Sequence, residues 1–136
     1  MEKEVKIKVK PRVLVLATPE FYPNYVVAFE KLDRILTSLK EQSKLVTIVV
    51  DSSLKATKLI QKYTISREFG YDMFVPNIRA YKIKREKMYE AYINLAIDYL
   101  VVFHYGDTSE FYRAINPAVK KGIPIRFIDL RLCETE

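Results

Sequence analysis

The sequence predicts a single α/β domain: a three-layer α/β/α Rossmann-like fold with a five-stranded parallel sheet, expected order 3-2-1-4-5. Short apolar runs, Val13-Leu-Val-Leu-Ala17 and Leu100-Val-Val-Phe103, show no polar alternation, as strands buried on both faces require. Segments with helical spacing separate these runs, and alternating strands and helices build parallel sheets through right-handed crossovers. The turn Gly106-Asp-Thr-Ser-Glu110 converts one apolar run into a helix start, the kind of junction at which open α/β sheets bind ligands.

Each element has its own signal. Residues 12–17 are a continuous apolar strand, and Thr18-Pro-Glu-Phe-Tyr-Pro-Asn24 is a loop. Residues 25–41 are predicted helical, with Phe29, Leu32, Leu36 and Leu39 on one face. Leu45 to Val50 is the second strand. Asp51-Ser-Ser53 follows, with Ser53 as expected N-cap of a helix to about Glu68, ended by Gly70. Asp72 to Val75 is a short third strand stopped by Pro76. A helix over 84–97 leads to the fourth strand, Tyr99 to His104. Asp107 and Glu110 have capping-box spacing for the last helix, which Asn116-Pro117 should kink or divide. Gly122-Ile-Pro124 closes that helix, and Ile125 to Ile128 is the fifth strand.

The 136 residues divide into a basic arm or edge strand (1–11), one domain (12–130) and a short tail (131–136). In the arm, Glu4-Val-Lys-Ile-Lys-Val-Lys10 alternates strictly, as a half-exposed strand would. A hydrophobic fraction of 49% suits a packed core, and a chain of this length buries roughly two-thirds of its unfolded surface. No run approaches the ~20 apolar residues of a membrane helix, and Met1-Glu-Lys-Glu4 begins no apolar leader. The expectation is a cytoplasmic protein with no membrane partner. Cys133 is the single cysteine, which excludes an internal disulfide and a thiolate metal cluster.

The net charge of +6 concentrates in Lys3, Lys6, Lys8, Lys10 and Arg12, and again in Arg79, Lys82, Lys84, Arg85 and Lys87. Nucleic acid would be attracted to both, while the preferred reading is a lysine-rich solvated surface. Few Gln and Asn and abundant Lys, Glu, Ile and Val point to a hot-environment source, an archaeon or its virus. The 84–97 helix is apolar on more than one face, so a homodimer is expected.

In the predicted topology, the loops after the first, second and fourth strands share a crevice. They bring Thr18, Glu20, Phe21 and Tyr22; Asp51, Ser52 and Ser53; and His104, Tyr105, Gly106, Asp107, Thr108 and Ser109. Glu20, Asp51 and Asp107 could together bind Mg²⁺ or share a proton, or act separately as caps and surface groups. His104 is the only histidine, either a general base or a half-buried ring bonded to its loop. Phe21, Tyr22, Tyr25, Tyr105 and Tyr112 either stack a base or plug the crevice.

Leu100-Val-Val-Phe-His-Tyr-Gly106, followed by Ile115-Asn-Pro-Ala-Val-Lys-Lys-Gly-Ile-Pro-Ile125, resembles the YspA-like branch of the SLOG superfamily, related to the DNA-processing protein DprA and the LOG phosphoribohydrolases. Arg85-x-x-Met88, Thr18 and Phe21 fit other motifs of that family, and the resemblance spans about residues 12–128. It implies a Rossmann-like domain that binds a nucleotide or nucleotide-derived ligand, with Arg85 on the phosphate or ribose and Thr108 and Ser109 as phosphate donors. Any catalysis would be cleavage of a nucleoside phosphate, with Glu20 or Asp107 as acid/base. The chain departs from the family where phosphate is held. Val50-Asp-Ser-Ser-Leu-Lys-Ala-Thr57 replaces a glycine-rich loop, Pro19 replaces an arginine, and Glu110-Phe111 replaces a Gly-Thr pair. These departures favour a non-catalytic binder. The alternatives are a DprA-like nucleic-acid accessory protein and a structural homo-oligomeric subunit with a closed crevice.

Overall fold

The computed structural model describes residues 11–21, 23–42, 46–52, 54–74, 90, 92–93 and 96–133. Over these the chain forms β1 (Arg12–Ala17), α1 (Tyr25–Gln42), β2 (Thr47–Asp51), α2 (Thr57–Ser66), β3 (Gly70–Phe74), β4 (Tyr99–His104), α3 (Tyr112–Lys121) and β5 (Ile125–Asp129). Short 3-10 turns occupy Pro19–Phe21, Ser109–Phe111 and Leu130–Cys133. The strands make one parallel sheet of five in the order β3-β2-β1-β4-β5, as the sequence predicts. The fold is a three-layer, Rossmann-like α/β fold.

The apolar runs form the inner strands because a parallel sheet covered on both faces leaves them no contact with water. Residues 13–17 of β1 are buried throughout, whereas the edge strands β3 and β5 each leave exposed side chains. Successive side chains divide between two cores. Val13, Val15, Ala17, Ile48, Val50, Val101 and Phe103 meet α1 through Leu32 and Leu36, and α2 through Ile60 and Tyr63. Leu14, Leu16, Val49, Leu100 and Val102 meet Ile93 and Ile97 and, around α3, Phe111, Ala114 and Ala118.

Arg12, read from sequence as part of a basic cluster, binds inside the fold. Its Nε donates to the Ala96 carbonyl at 2.8 Å, and its Nη2 donates to Asp72 at 2.6 Å and to the Tyr92 hydroxyl at 2.9 Å. Its backbone N–H donates to Asp98 at 2.9 Å. One side chain thus ties β1 to β3 and to the segment entering β4. Lys121 ends α3 and donates through Nζ to the carbonyls of Ile93 (2.8 Å) and Ile97 (2.9 Å). A lysine is well suited to the unpaired carbonyls at a helix C-terminus.

Several boundaries differ from expectation. α2 begins at Thr57, whose hydroxyl donates to the Asp51 carbonyl, and Ala56 before it supplies no capping side chain. Ser53 lies outside the described residues. The left-handed residue after α2 is Glu68 (φ 61°), while Gly70 already pairs with Thr47 in the sheet. α3 runs unbroken across Pro117. The proline removes the amide that would bond the Arg113 carbonyl, and Arg113 is exposed, so solvent can take that place. Gly122 ends α3 in the left-handed conformation (φ 81°), as glycine allows. Of the predicted 84–97 helix, residues 90, 92, 93 and 96 are described and helical. The alternating arm at 4–10 and the basic residues Arg79 to Lys87 lie outside the described residues. No described helix is long and apolar enough to cross a membrane.

A Cβ at Gly70 would meet Thr47 Oγ1 at 2.8 Å. Gly70→Ala is expected to destabilise the domain by about 1–3 kcal/mol in urea unfolding. Thr47→Ala removes the obstructing oxygen, so the glycine substitution should lose most of its effect in that background.

Candidate functional site

The order reversal lies between β1 and β4, which pair directly from Val13↔Tyr99 to Ala17↔Phe103. Thr18 extends the ladder, its N–H donating to the Phe103 carbonyl at 3.1 Å. The loops leaving the two strands therefore start side by side, at the position where open α/β sheets take ligands.

Thr18 is only 3% exposed, and its Oγ1 is buried with no hydrogen-bond partner. By the alternation along β1 it falls in phase with Leu14 and Leu16, on the sheet face that carries Phe111 and the Ser109–Phe111 turn. Phe21 goes to the other face. It is fully buried, edge-on to Phe103 at 5.1 Å and against Phe29 at 5.7 Å. Phe21 is thus core and offers no free ring to a base, which corrects one of its two expected roles. Tyr25, Tyr105 and Tyr112 are exposed, and Tyr22 lies outside the described residues.

The turn after β4 is closed by its own groups. Gly106 has φ 93°, a left-handed conformation that suits glycine. Its N–H donates to His104 Nδ1 at 3.0 Å. That nitrogen serves as the acceptor of this bond. Asp107 accepts the Ser109 N–H at 2.9 Å, which pulls its carboxyl below the usual range. Thr108 accepts the Phe111 N–H at 3.0 Å through its carbonyl and makes no side-chain cap.

Glu20 sits in the Pro19–Phe21 turn after β1, and Glu110 in the Ser109–Phe111 turn after β4. The Glu110 carboxyl is held above its ordinary value by burial first, then by repulsion from Glu20 and Asp107. Sequence reading took Glu110 for a cap alone, because nothing local shows that Glu20 approaches it. Asp51 ends β2, is 2% exposed, and is not part of that group. Among the described residues no three His, Cys, Asp or Glu side chains gather as a metal would require. The expected Mg²⁺ cluster of Glu20, Asp51 and Asp107 does not form, since Asp51 is sealed under the sheet end and Asp107 is occupied by Ser109. Ser52 is exposed, and its N–H continues the sheet to the Phe74 carbonyl at 2.9 Å. Ser53 and Arg85 lie outside the described residues.

Sequence reading also missed Arg131 and Asp129. Register places Asp129 opposite His104. Arg131 grips Asp129 (2.6 Å) and lays its guanidinium against Gly106, where a Cβ would stand 2.8 Å from Cζ. The spacing of Asp129 and Arg131 hints at a local pair, yet their approach to Gly106 depends on β4 lying beside β5.

Arg131 holds the Asp129 carboxyl at about 2, against an ordinary 3.8. A depressed carboxyl contributes stability that is present above 3.8 and lost as pH falls through about 2. Arg131→Met should return the carbon-detected NMR titration of Asp129 toward its ordinary value. Glu110 has the opposite sign: its raised carboxyl imposes no penalty while protonated, and the penalty develops as pH rises above 4.5. Glu110→Gln is expected to raise Tm at neutral pH and to leave it unchanged well below that value.

Comparison of the chain with protein-family models, curated proteins and solved structures finds no match in any of the three.

Proposed function

We propose that this chain binds a nucleotide or nucleotide-derived ligand at the carboxyl ends of β1 and β4, as a non-catalytic domain. The observation that carries the reading is Thr18, whose buried hydroxyl lacks a partner at the order reversal of a parallel sheet. A buried polar group left unpaired costs about 1–3 kcal/mol, so such groups are rare and tend to mark places where a ligand completes the bonding. Tyr105, 37% exposed on the adjoining turn, offers an aromatic surface of the kind that stacks on a base. The SLOG-like motifs around Gly106 and Gly122 agree with this ligand class.

The chemistry of the site supports binding over turnover. His104 Nδ1 accepts the Gly106 N–H, and Asp107 is depressed and bonded to Ser109, which leaves that carboxyl unsuited to general acid work near neutral pH. Glu20 is the remaining carboxylate among the expected acids, and its location suits contact with ligand hydroxyls.

A thermal-shift panel of nucleosides, nucleoside monophosphates and ADP-ribose tests the reading. A ligand at a hundredfold excess over its Kd should add roughly 2.7 kcal/mol of stability. Thr18→Val keeps the shape and removes the hydroxyl. Without ligand this variant should melt higher, by about 1 kcal/mol or roughly 3 °C, and it should lose the ligand-induced shift. Failure of every compound to stabilise the wild-type protein would overturn the proposal.

A further inference from the structure

The geometry points to a second binding site, a notch on α3 that takes a small carboxylic acid with an apolar body. It is separate from the junction of β1 and β4 and does not rest on the ligand reading above.

The notch has a volume of about 120 Å³ and is lined by Tyr112, Arg113, Asn116, Pro117 and Lys120 of α3 and by Glu90 of the segment beside it. Arg113, Asn116, Pro117 and Lys120 stand at i, i+3, i+4 and i+7, so they share one flank of the helix over two turns. Lys121 fixes the two walls relative to each other. Its Nζ reaches from α3 to the carbonyls of Ile93 at 2.8 Å and Ile97 at 2.9 Å, just beyond Glu90 in the opposing segment. The space matches that of about four water molecules in the liquid. It is too small for a nucleotide and sufficient for a carboxylate carried on a short chain or a single ring.

The polar groups of the notch are uncommitted. Arg113 Nε donates to the Tyr112 hydroxyl at 3.3 Å, and the guanidinium lies 5.6 Å from the centre of the Tyr112 ring. This contact orients the planar group and leaves its two terminal nitrogens for a carboxylate, which such a fork meets with two parallel hydrogen bonds. Among the described residues neither the Asn116 amide nor Lys120 Nζ has a partner, whereas Arg12, Arg67 and Arg131 are each paired with an aspartate.

The charges select a monoanion. Arg113 and Lys120 bring two positive charges and Glu90 one negative, so one carboxylate neutralises the notch, while a phosphate dianion would add surplus negative charge beside Glu90. Tyr112, 51% exposed, and the Pro117 ring supply apolar surface for the rest of the acid.

The test is an NMR titration of the full chain with benzoate, acetate, benzamide and inorganic phosphate, followed at the Arg113 Nε–H and the Asn116 side-chain amide. Benzoate should shift both signals to saturation. Acetate, which lacks the ring, should bind about threefold weaker than benzoate. Neutral benzamide and dianionic phosphate should each bind about tenfold weaker or worse. Arg113→Lys keeps the charge and removes the fork, and Lys120→Gln removes a charge; both positions are exposed, and the Tm of each variant should be unchanged. Each substitution should weaken benzoate about fivefold or more, read at Asn116. Thr18→Val should leave benzoate binding as it is. Benzamide or phosphate binding as tightly as benzoate, a benzoate shift that never saturates, or unchanged affinity in both α3 variants overturns the inference.

Discussion

The pairing of β1 with β4 is the constraint on which the other features depend. These strands are neighbours in space although α1, β2, α2 and β3 separate them in the chain. Their contact reverses the strand order, places α1 and α2 on one face and α3 on the other, and starts two outgoing loops beside each other. Thr18 is held there by a backbone bond to Phe103, and its side chain is buried. In another strand order the same residues would be ordinary loop positions.

Around that junction several of the chain's polar groups bond to one another. Gly106 bonds His104, Asp107 bonds Ser109, and Arg131 bonds Asp129 across the turn. The sequence has only three glycines, and Gly106 is the one at this junction. A glycine-rich loop leaves backbone amides bare for an anion; a loop with side chains at nearly every position covers them. The junction keeps a location common to nucleotide-binding sheets but lacks their glycine-rich loop.

The opposite end of the sheet is held by different means. Arg12 joins three elements through its guanidinium, and Lys121 closes the carbonyls of a helix it does not belong to. Arg12 was legible only as part of a basic cluster. Part of the positive balance of the chain is therefore structural, which weakens net charge as an argument for a polyanionic partner.

The sequence by itself determined the sheet, its strand order, the two-faced burial of β1 and β4, and the end of α3 at Gly122, because hydrophobic runs, helical spacing and glycine chemistry are local properties of the chain. It also located the junction at Gly106. It did not determine what the junction presents. Phe21 was equally fit to stack a base or to plug the crevice until Phe103 and Phe29 enclosed it. Glu110 was a cap until Glu20 arrived from a loop far along the chain, and Arg131 was tail until β5 set it against Gly106. Those outcomes depend on distances between residues remote in sequence, and such distances exist only once the sheet has assembled.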